Sequence, residues 1–256
     1  MILRSITKHV RDQNWFAVGI DFFIVVVGVF IGIQVSNWNE VRAERTREAL
    51  LLINLRDEAQ RNAAFAQSIG EGMLVGAEAA RRLLRIAEEE DYRCRDDCWS
   101  VVVDLMHASQ WQQIFQQWTT YDELRRAGLP SDRTIIDAVE AYRQTTHRVA
   151  QALLTPPAYR TLVRRRIPIE LQDSYWSHCF EEVGSIEIYR YPCEKPATVT
   201  TIDSELIQDV LADPEIITTL REWTSIARLT GNGLVTLQPA LAAEITSSID
   251  GSERRP

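Results

Sequence analysis

The sequence predicts an all-α protein in which a single N-terminal transmembrane helix continues into a stalk and an extramembrane helical bundle with a disulfide-tied loop. Residues 15–35 are nearly all apolar, and apolar residues recur at helical spacing through most of the remaining chain. Four cysteines lie in polar segments. The 256 residues, 45% of them hydrophobic and 25% charged, suffice for an anchor plus one ordinary domain or two small ones.

The predicted segments are a short amphipathic basic tail (1–14), a transmembrane helix (15–38), a stalk helix (39–69), a helical bundle (70–249, with a loop at 167–201) and a disordered tail (250–256). In the basic tail, apolar residues recur at helical spacing between Arg4, Lys8 and Arg11. This pattern fits a helix lying on an anionic membrane surface. A plain basic tail that only sets the topology fits the same residues.

The anchor runs from Trp15 to Val35, and Asp21 is its only ionisable residue. About 20 helical residues cross a hydrocarbon core of roughly 30 Å. Trp15 and Trp38 bracket the run, as indole rings do at the two membrane interfaces. The run is longer than the apolar region of a signal peptide, and no A-x-A cleavage site follows it. The segment is therefore predicted to be an uncleaved signal anchor and the single span of the chain.

Asp21 and a ridge of small residues predict how the anchor is used. An aspartate at the bilayer centre costs about 2.5–3.5 kcal/mol. Asp21 therefore either reaches the headgroups or is protonated, or it pairs with a polar or basic side chain of another span. Gly28, Gly32 and Ser36 recur at four-residue spacing and let two helix backbones approach closely. The expected partners are the lipid bilayer and other transmembrane helices, in a homo-oligomer or a larger membrane complex.

The cysteines indicate the orientation, because basic residues flank both ends of the span and the positive-inside rule gives nearly a tie. An even number of cysteines in polar segments suits an oxidising compartment. This predicts a bacterial inner-membrane protein with a cytoplasmic N-terminus and a periplasmic C-terminal domain. Four cysteines allow three connectivities, and the sequence-local one, Cys94–Cys98 with Cys179–Cys193, is the simplest expectation. The second pair would contribute roughly 3 kcal/mol. Zinc ligation, with His178 beside the second pair, and free buried thiols are the alternatives.

Residues 39–69 contain no proline or glycine and carry apolar residues on one face, which predicts the stalk helix. The glycines of "GEG" at 70–72 are predicted to end it, with a second helix and then a polar loop following. Asp96 or Asp97 is the expected cap of a helix that begins near Trp99.

Further helices follow from local signals. "TTYDELRRAG" predicts a helix that is capped by its threonines and ended by Gly128. Another helix is predicted from Ser131 to about Arg165, with a break or kink at Pro156 and Pro157.

The helical pattern fades between residues 167 and 201. "SIEIYRY" alternates as a strand does, but a lone strand cannot form a sheet, so this stretch is predicted to be a loop tied by the disulfide. Helices return at "SELIQDVLAD", capped by Asp203 or Ser204, and from about Asp213 to Ile249, where "TGNG" is a candidate interruption.

The segment "HVRDQNWFAVGIDFFIVVVGVFIGIQVSNWNE" resembles, almost position for position, the opening of a widespread family of bacterial single-span membrane proteins with a domain of unknown function. "LRDEAQRN" and "TTYDELRRAG" resemble that family's stalk and its mid-chain Tyr-x-Glu-Leu helix. The resemblance is strongest over the first 65 residues and weaker to about residue 145. It implies an envelope protein with a helical extramembrane domain, and it assigns no catalytic residue.

No motif in the sequence predicts a catalytic residue, a cofactor or a metal site. The four histidines are scattered, and the H-E-x-x-H, G-x-S-x-G, P-loop and Rossmann patterns are absent. A net charge of −8 without a basic stripe argues against nucleic acid as a partner.

Three groups of residues fit both a structural and a chemical role, and the structural role is preferred for each. Tyr121, Asp122 and Glu123 have the composition of an acid–base cluster, but acids at a helix start complement the helix dipole. The indole rings are expected in the core rather than around a ligand, and the arginine run at a solvated helix end rather than on an anion. These residues are Trp111, Trp118, Trp223 and Arg164–Arg166.

The predicted function is a non-enzymatic accessory or scaffold subunit whose anchor associates with other membrane proteins while the bundle presents a periplasmic surface. A periplasmic ligand-binding sensor is the alternative from another class, although only about fourteen residues precede the span and leave no room for an output domain. An envelope enzyme whose site the sequence does not reveal is the third possibility.

Overall fold

The structure, a computed structural model, describes residues 15–89, 92–94, 98–184 and 186–254. Helices account for 76% of the described residues and strands for 4%, which confirms the all-α class. In chain order the elements are α1 (Trp15–Ile86), α2 (Cys98–Ala108), α3 (Thr119–Arg126), α4 (Arg133–Ala152), α5 (Ala158–Arg166), α6 (Ile169–His178), β1 (Phe180–Val183), β2 (Ile186–Tyr189), α7 (Ser204–Ala212) and α8 (Pro214–Glu253).

The chain divides into two units, Met1–Leu51 and Leu52–Pro256. In the second unit α2 is the central element, since nearly all its side chains from Val101 to Ala108 are buried. Helices α5, α6 and α7 pack on it, and Trp223 of α8 donates a hydrogen bond to the Ala108 carbonyl at 3.0 Å. A short, almost wholly apolar helix such as α2 is stable only when it is covered on all sides.

The predicted end of the stalk helix at "GEG" is wrong, because α1 continues through Gly70 and Gly72 to Ile86. These glycines allow close packing instead of forming a turn. A Cβ on Gly70 would lie 2.9 Å from the carbonyl oxygen of Gly231 in α8, and a Cβ on Gly72 would lie 2.5 Å from the Tyr189 ring. Packing at these positions outweighs the low helix propensity of glycine, which is about 1 kcal/mol per residue.

α8 is likewise uninterrupted, and it passes through "TGNG" and beyond the expected end at Ile249 to Glu253. Its start follows the local signals, since Pro214 occupies the first turn and the Asp213 carboxylate accepts from the Glu215 N–H at 2.9 Å. The predicted disordered tail at 250–256 is therefore helical over its first residues, and residues 255–256 lie outside the described part.

Several other helix ends also lie where local signals predicted them. Gly128, with a φ of 77°, follows α3. Pro156 and Pro157 separate α4 from α5, and the Asp203 side chain caps α7.

The prediction of a loop at 167–201 is wrong in part, because the stretch contains α6 and an antiparallel hairpin. The predicted alternating stretch forms β2, and "FEEV" directly before it forms β1, in a register that pairs Phe180 with Tyr189. Gly184 has a φ of 65° in the connecting turn. The partner strand escaped prediction because two adjacent glutamates break the apolar alternation that marks a strand.

Candidate functional site

The small-residue ridge of the anchor is exposed. Near the N-terminus α1 is long and apolar enough to cross a membrane. Gly28, Gly32 and Ser36 are exposed on this helix, and a Cβ on either glycine would meet open space. Trp38 is also exposed, with the Arg42 guanidinium 5.7 Å from its ring centroid.

Several predicted features lie outside the described residues. They are the basic tail at 1–14, the side chains of Trp15 and Asp21, and the Asp96 and Asp97 caps. Their roles stay predictions.

Both predicted disulfides are present. The Cα atoms of Cys94 and Cys98 lie 4.9 Å apart, and those of Cys179 and Cys193 lie 5.5 Å apart. The second disulfide joins the two ends of the β-hairpin. A helix that is able to span a membrane, together with two disulfides, indicates a membrane-anchored protein with a domain in an oxidising compartment.

A carboxylate on α1 caps α3 across the fold. The Glu58 side chain accepts hydrogen bonds from the backbone N–H groups of Thr120 at 2.9 Å and Tyr121 at 3.2 Å. The predicted threonine caps are therefore wrong, and Trp118 at the N-cap position contributes no side-chain hydrogen bond. Glu58 satisfies two of the N–H groups that a helix start leaves unpaired, and its charge complements the helix dipole.

One turn further along α1, Asn62 binds the backbone of Gln117 through two hydrogen bonds. Its Nδ2 donates to the Gln117 carbonyl at 2.8 Å, and its Oδ1 accepts from the Gln117 N–H at 3.4 Å. The amide thus takes the place of a neighbouring β-strand. Glu58 and Asn62 are buried and interrupt the apolar face of α1. This interruption is the sequence signal that could have identified both residues.

Replacing Glu58 with glutamine is expected to lower the free energy of unfolding by about 1–2 kcal/mol, because one acceptor and the charge at the start of α3 are lost. The measurement is urea unfolding of the full-length protein in detergent micelles, followed by tryptophan fluorescence. Asp57→Asn, at the exposed neighbouring acid, is the matched control. Equal effects of the two substitutions would contradict the cap.

Glu58 and Asn62 hold the end of an extended segment, residues 110–118, which contains neither helix, turn nor bend. Ile114 and Trp118 are buried and Gln116 between them is half-buried, whereas Phe115 is 70% exposed. This period of two is that of a β-strand with one face on the core.

A groove of about 560 Å³ lies between this segment and α4. Its apolar lining includes Ile114 and Trp118. Its polar lining includes two amides, an acid, a guanidinium and an imidazole, which are Gln116, Gln144, Glu140, Arg143 and His147. The extended segment, its groove and α4 form the candidate site.

A buried hydrogen-bond network holds Gln116 in place. Its Nε2 donates to the Tyr142 hydroxyl at 3.1 Å and to the Gln238 Oε1 at 3.2 Å. The Thr146 hydroxyl donates to the same Gln238 oxygen at 3.1 Å. Burial raises the pKa of Tyr142 well above its usual range, so its hydroxyl stays neutral.

Tyr121 and Asp122 connect α3 to α4. The buried Tyr121 hydroxyl donates to Glu140 at 2.9 Å, and burial together with this bond raises its pKa to about 12. Asp122 lies 3.7 Å from Arg143, and Glu123 is exposed.

His107, at the end of α2, is enclosed by aromatic rings. It is 1% exposed, and its ring centroid lies 5.4, 5.7 and 6.4 Å from those of Tyr175, Tyr189 and Tyr191. Neither ring nitrogen forms a hydrogen bond with the described residues. Burial lowers the pKa of His107 to about 4, although the nearby Arg190 carbonyl acts in the opposite direction. The imidazole is therefore neutral at physiological pH.

Acidification from pH 7 to pH 4 is expected to destabilise the protein by about 3 kcal/mol more than it destabilises a His107→Phe variant. The unfolded histidine titrates at 6.5 and the folded one at about 4, so the unfolded chain binds the proton first. The stabilisation that neutral His107 gives the folded state is complete above pH 6.5 and is lost as the pH falls toward 4. Urea unfolding of the full-length protein at several pH values measures the difference. His178→Gln, at an exposed histidine, is the matched control substitution.

The prediction that the arginine run lies in solvent is wrong for Arg164 only, since Arg165 and Arg166 are exposed. The Arg164 guanidinium lies 5.0 Å from the centroid of the Trp176 ring and donates to the Ser109 hydroxyl at 3.0 Å. Burial lowers the pKa of Arg164 to about 10, so it remains charged at neutral pH. Arg166 pairs with Asp213 at 2.8 Å. Two of the three guanidinium groups thus bind protein side chains.

The three tryptophans lie in or beside the core. Trp118 and Trp223 are buried. Trp111 is half-buried beside a cavity of about 10 Å³, which has room for one water molecule.

No family model, curated protein or solved structure matches this chain. The resemblance of its N-terminal segment to a family of single-span proteins therefore stays a prediction.

Proposed function

We propose that this protein is a non-enzymatic accessory subunit of a membrane complex, anchored in a bacterial inner membrane by α1. The observation that carries the proposal is the exposed ridge of Gly28, Gly32 and Ser36 on an apolar helix. Lipid tails do not repel an apolar helix, so association in the bilayer depends on close backbone approach, which small residues permit.

The orientation is cytoplasmic at the N-terminus and periplasmic for the second unit. The two disulfides support it, because they persist in the oxidising periplasm and are rare in the cytoplasm. In this arrangement the second unit presents the groove beside residues 110–118 to partners outside the membrane.

The test is extraction of the tagged full-length protein from its own host in mild detergent, followed by native-gel separation and mass spectrometry of the proteins that travel with it. Gly28→Ile and Asp21→Leu are expected to release the protein from the complex without unfolding it. Gly19→Ile is the matched control, because nine residues place Gly19 half a helical turn away from Gly28. Unchanged migration of both test variants would overturn the proposal.

A ligand-binding sensor is the second candidate, and one surface feature favours it. A groove of about 670 Å³ between α1 and α8 carries Arg81, Arg221 and Arg228 beside Leu84 and the exposed Leu229. Guanidinium groups beside apolar surface suit an anionic amphiphile. A ligand that binds the folded protein must raise its melting temperature. A thermal-shift screen of anionic amphiphiles that gives no rise would exclude this candidate.

A further inference from the structure

The geometry points to a peptide-binding site: an extended segment of a partner protein pairs as a β-strand with residues 113–117 and lies in the groove against α4. The inference rests on the proposed function, since it specifies what the second unit binds.

The backbone groups of residues 113–117 alternate between the two edges of the segment. In a β-strand, the N–H and C=O of one residue point to the same edge, and those of the next residue point to the other. Both groups of Gln117 bind Asn62, on the side of α1. The backbone groups of Ile114 and Gln116 therefore face the opposite edge.

That opposite edge is unpaired. Among the described residues, no backbone or side-chain group makes a hydrogen bond with the backbone of Ile114 or Gln116. Ile114 and Gln116 together present two N–H and two C=O groups at alternate positions. An extended peptide can form the hydrogen bonds of a β-ladder with such groups. Such an edge is a template for another chain.

The groove between this segment and α4 is the second feature of the site. Its volume of about 560 Å³ is in the range of binding sites rather than of packing defects. Gln144 places an exposed side-chain amide in its lining, whereas both Nε2 hydrogens of Gln116 are donated to Tyr142 and Gln238. Asn62 of α1 shows at Gln117 that an amide side chain binds a peptide backbone through a donor and an acceptor together.

The outer face of the segment and the groove together define the sequence pattern of the partner. Phe115 is 70% exposed on the outer face of the segment. An apolar residue of the incoming strand lies directly across from it, because cross-strand neighbours are about 5 Å apart and aromatic–apolar pairs stabilise a sheet. The residues on either side of this apolar residue point into the groove, where Gln116, Gln144 and His147 favour polar side chains. The partner segment is thus about five residues long, alternates polar and apolar, and lies in a flexible loop or terminus.

The first experiment replaces Phe115 with the photo-crosslinking residue p-benzoylphenylalanine in the full-length protein, in cells of its own host. Illumination is expected to give one crosslinked partner, attached within a single contiguous segment that mass spectrometry maps. Gln144→Trp, which fills the groove from an exposed position, should reduce the crosslink about tenfold. Arg148→Trp, one turn further along α4 and outside the groove lining, should leave it unchanged.

The second experiment tests the β-pairing with a synthetic peptide of the crosslinked segment. N-methylation of alternate peptide amides removes the donors facing one edge. One alternate set is expected to weaken binding by about tenfold or more, and the other set to leave it nearly unchanged. Hydrogen exchange of the Ile114 and Gln116 amides should slow in the complex.

The outcomes separate the inference from the proposed function. Partners that copurify through α1 but give no crosslink at residue 115 would overturn the inference and leave the proposed function standing. A crosslink to lipid, to a second copy of this chain or to a helix would also overturn it, as would equal binding by both methylated peptides. If no partner copurifies and no crosslink forms, both the inference and the proposed function are overturned.

Discussion

Replacing Arg82 with alanine is expected to lower the free energy of unfolding by about 3–5 kcal/mol. The Arg82 Nε and Nη2 donate to the two carboxylate oxygens of Asp104 at 2.8 and 2.6 Å. Only 9% of the Asp104 side chain is exposed, so the truncation leaves a buried carboxylate without its cation. The guanidinium also lies 4.0 Å from the centroid of the Tyr191 ring, so a cation–π contact is lost with it.

The neighbouring arginine is the control for this result. Arg81 pairs with Glu78 at 2.7 Å, but both side chains are more than a third exposed, at 36% and 60%. An exposed pair contributes about 0.2–1 kcal/mol, so Arg81→Ala should have a small effect. Urea unfolding of the full-length protein in detergent, followed by tryptophan fluorescence, measures both variants. Similar losses for Arg81 and Arg82 would show that the burial of Asp104 does not determine the strength of its pair.

Gly231→Ala is expected to destabilise the protein by about 1–3 kcal/mol, although alanine is the better helix former. A Cβ on Gly231 would lie 2.9 Å from the carbonyl oxygen of Gly70, which belongs to the rigid backbone of α1. The two helices must separate to admit the methyl group, and the buried contacts around Leu74 and Leu234 loosen with them.

Two residues further along α8, the same substitution is expected to have the opposite sign. A Cβ on Gly233 would meet nothing within 4 Å. Gly233→Ala should therefore stabilise the protein by about 0.5–1 kcal/mol, through helix propensity alone. Thermal unfolding of both variants under identical conditions checks the pair. Stabilisation by both substitutions would show that α1 and α8 are farther apart at Gly231 than the structure places them.

The sequence predicted the features that depend on contacts within a few residues. Helix ends at Gly128, Asp203 and Asp213 follow from glycine's access to a positive φ and from carboxylates that bind N–H groups two or three residues away. The break at the two prolines follows from a missing N–H. The disulfide pairs were also found correctly, because their sequence separations of 4 and 14 make local pairing the simplest choice.

The candidate site was out of reach of the same reasoning. Its geometry depends on Glu58 and Asn62, which bind backbone groups more than fifty residues away along the chain. Neither contact changes the apolar periodicity of the segment it holds, so the sequence shows only two polar residues on an apolar helix face. Residues 110–118, which carry the groove, were predicted neither as a strand nor as a site because the segment has no partner strand among the residues that the structure describes.

By itself, the sequence determined the all-α class, the apolar anchor, the local helix ends and the disulfides, because each depends on composition or on the energetics of neighbouring residues. Only the tertiary structure decided that "GEG" and "TGNG" lie inside long helices, that a charged strand completes a hairpin, and that His107 is enclosed by tyrosines. The physical reason is the same in each case. Packing between segments distant in sequence contributes more free energy than the local preference of about 1 kcal/mol that it overrides.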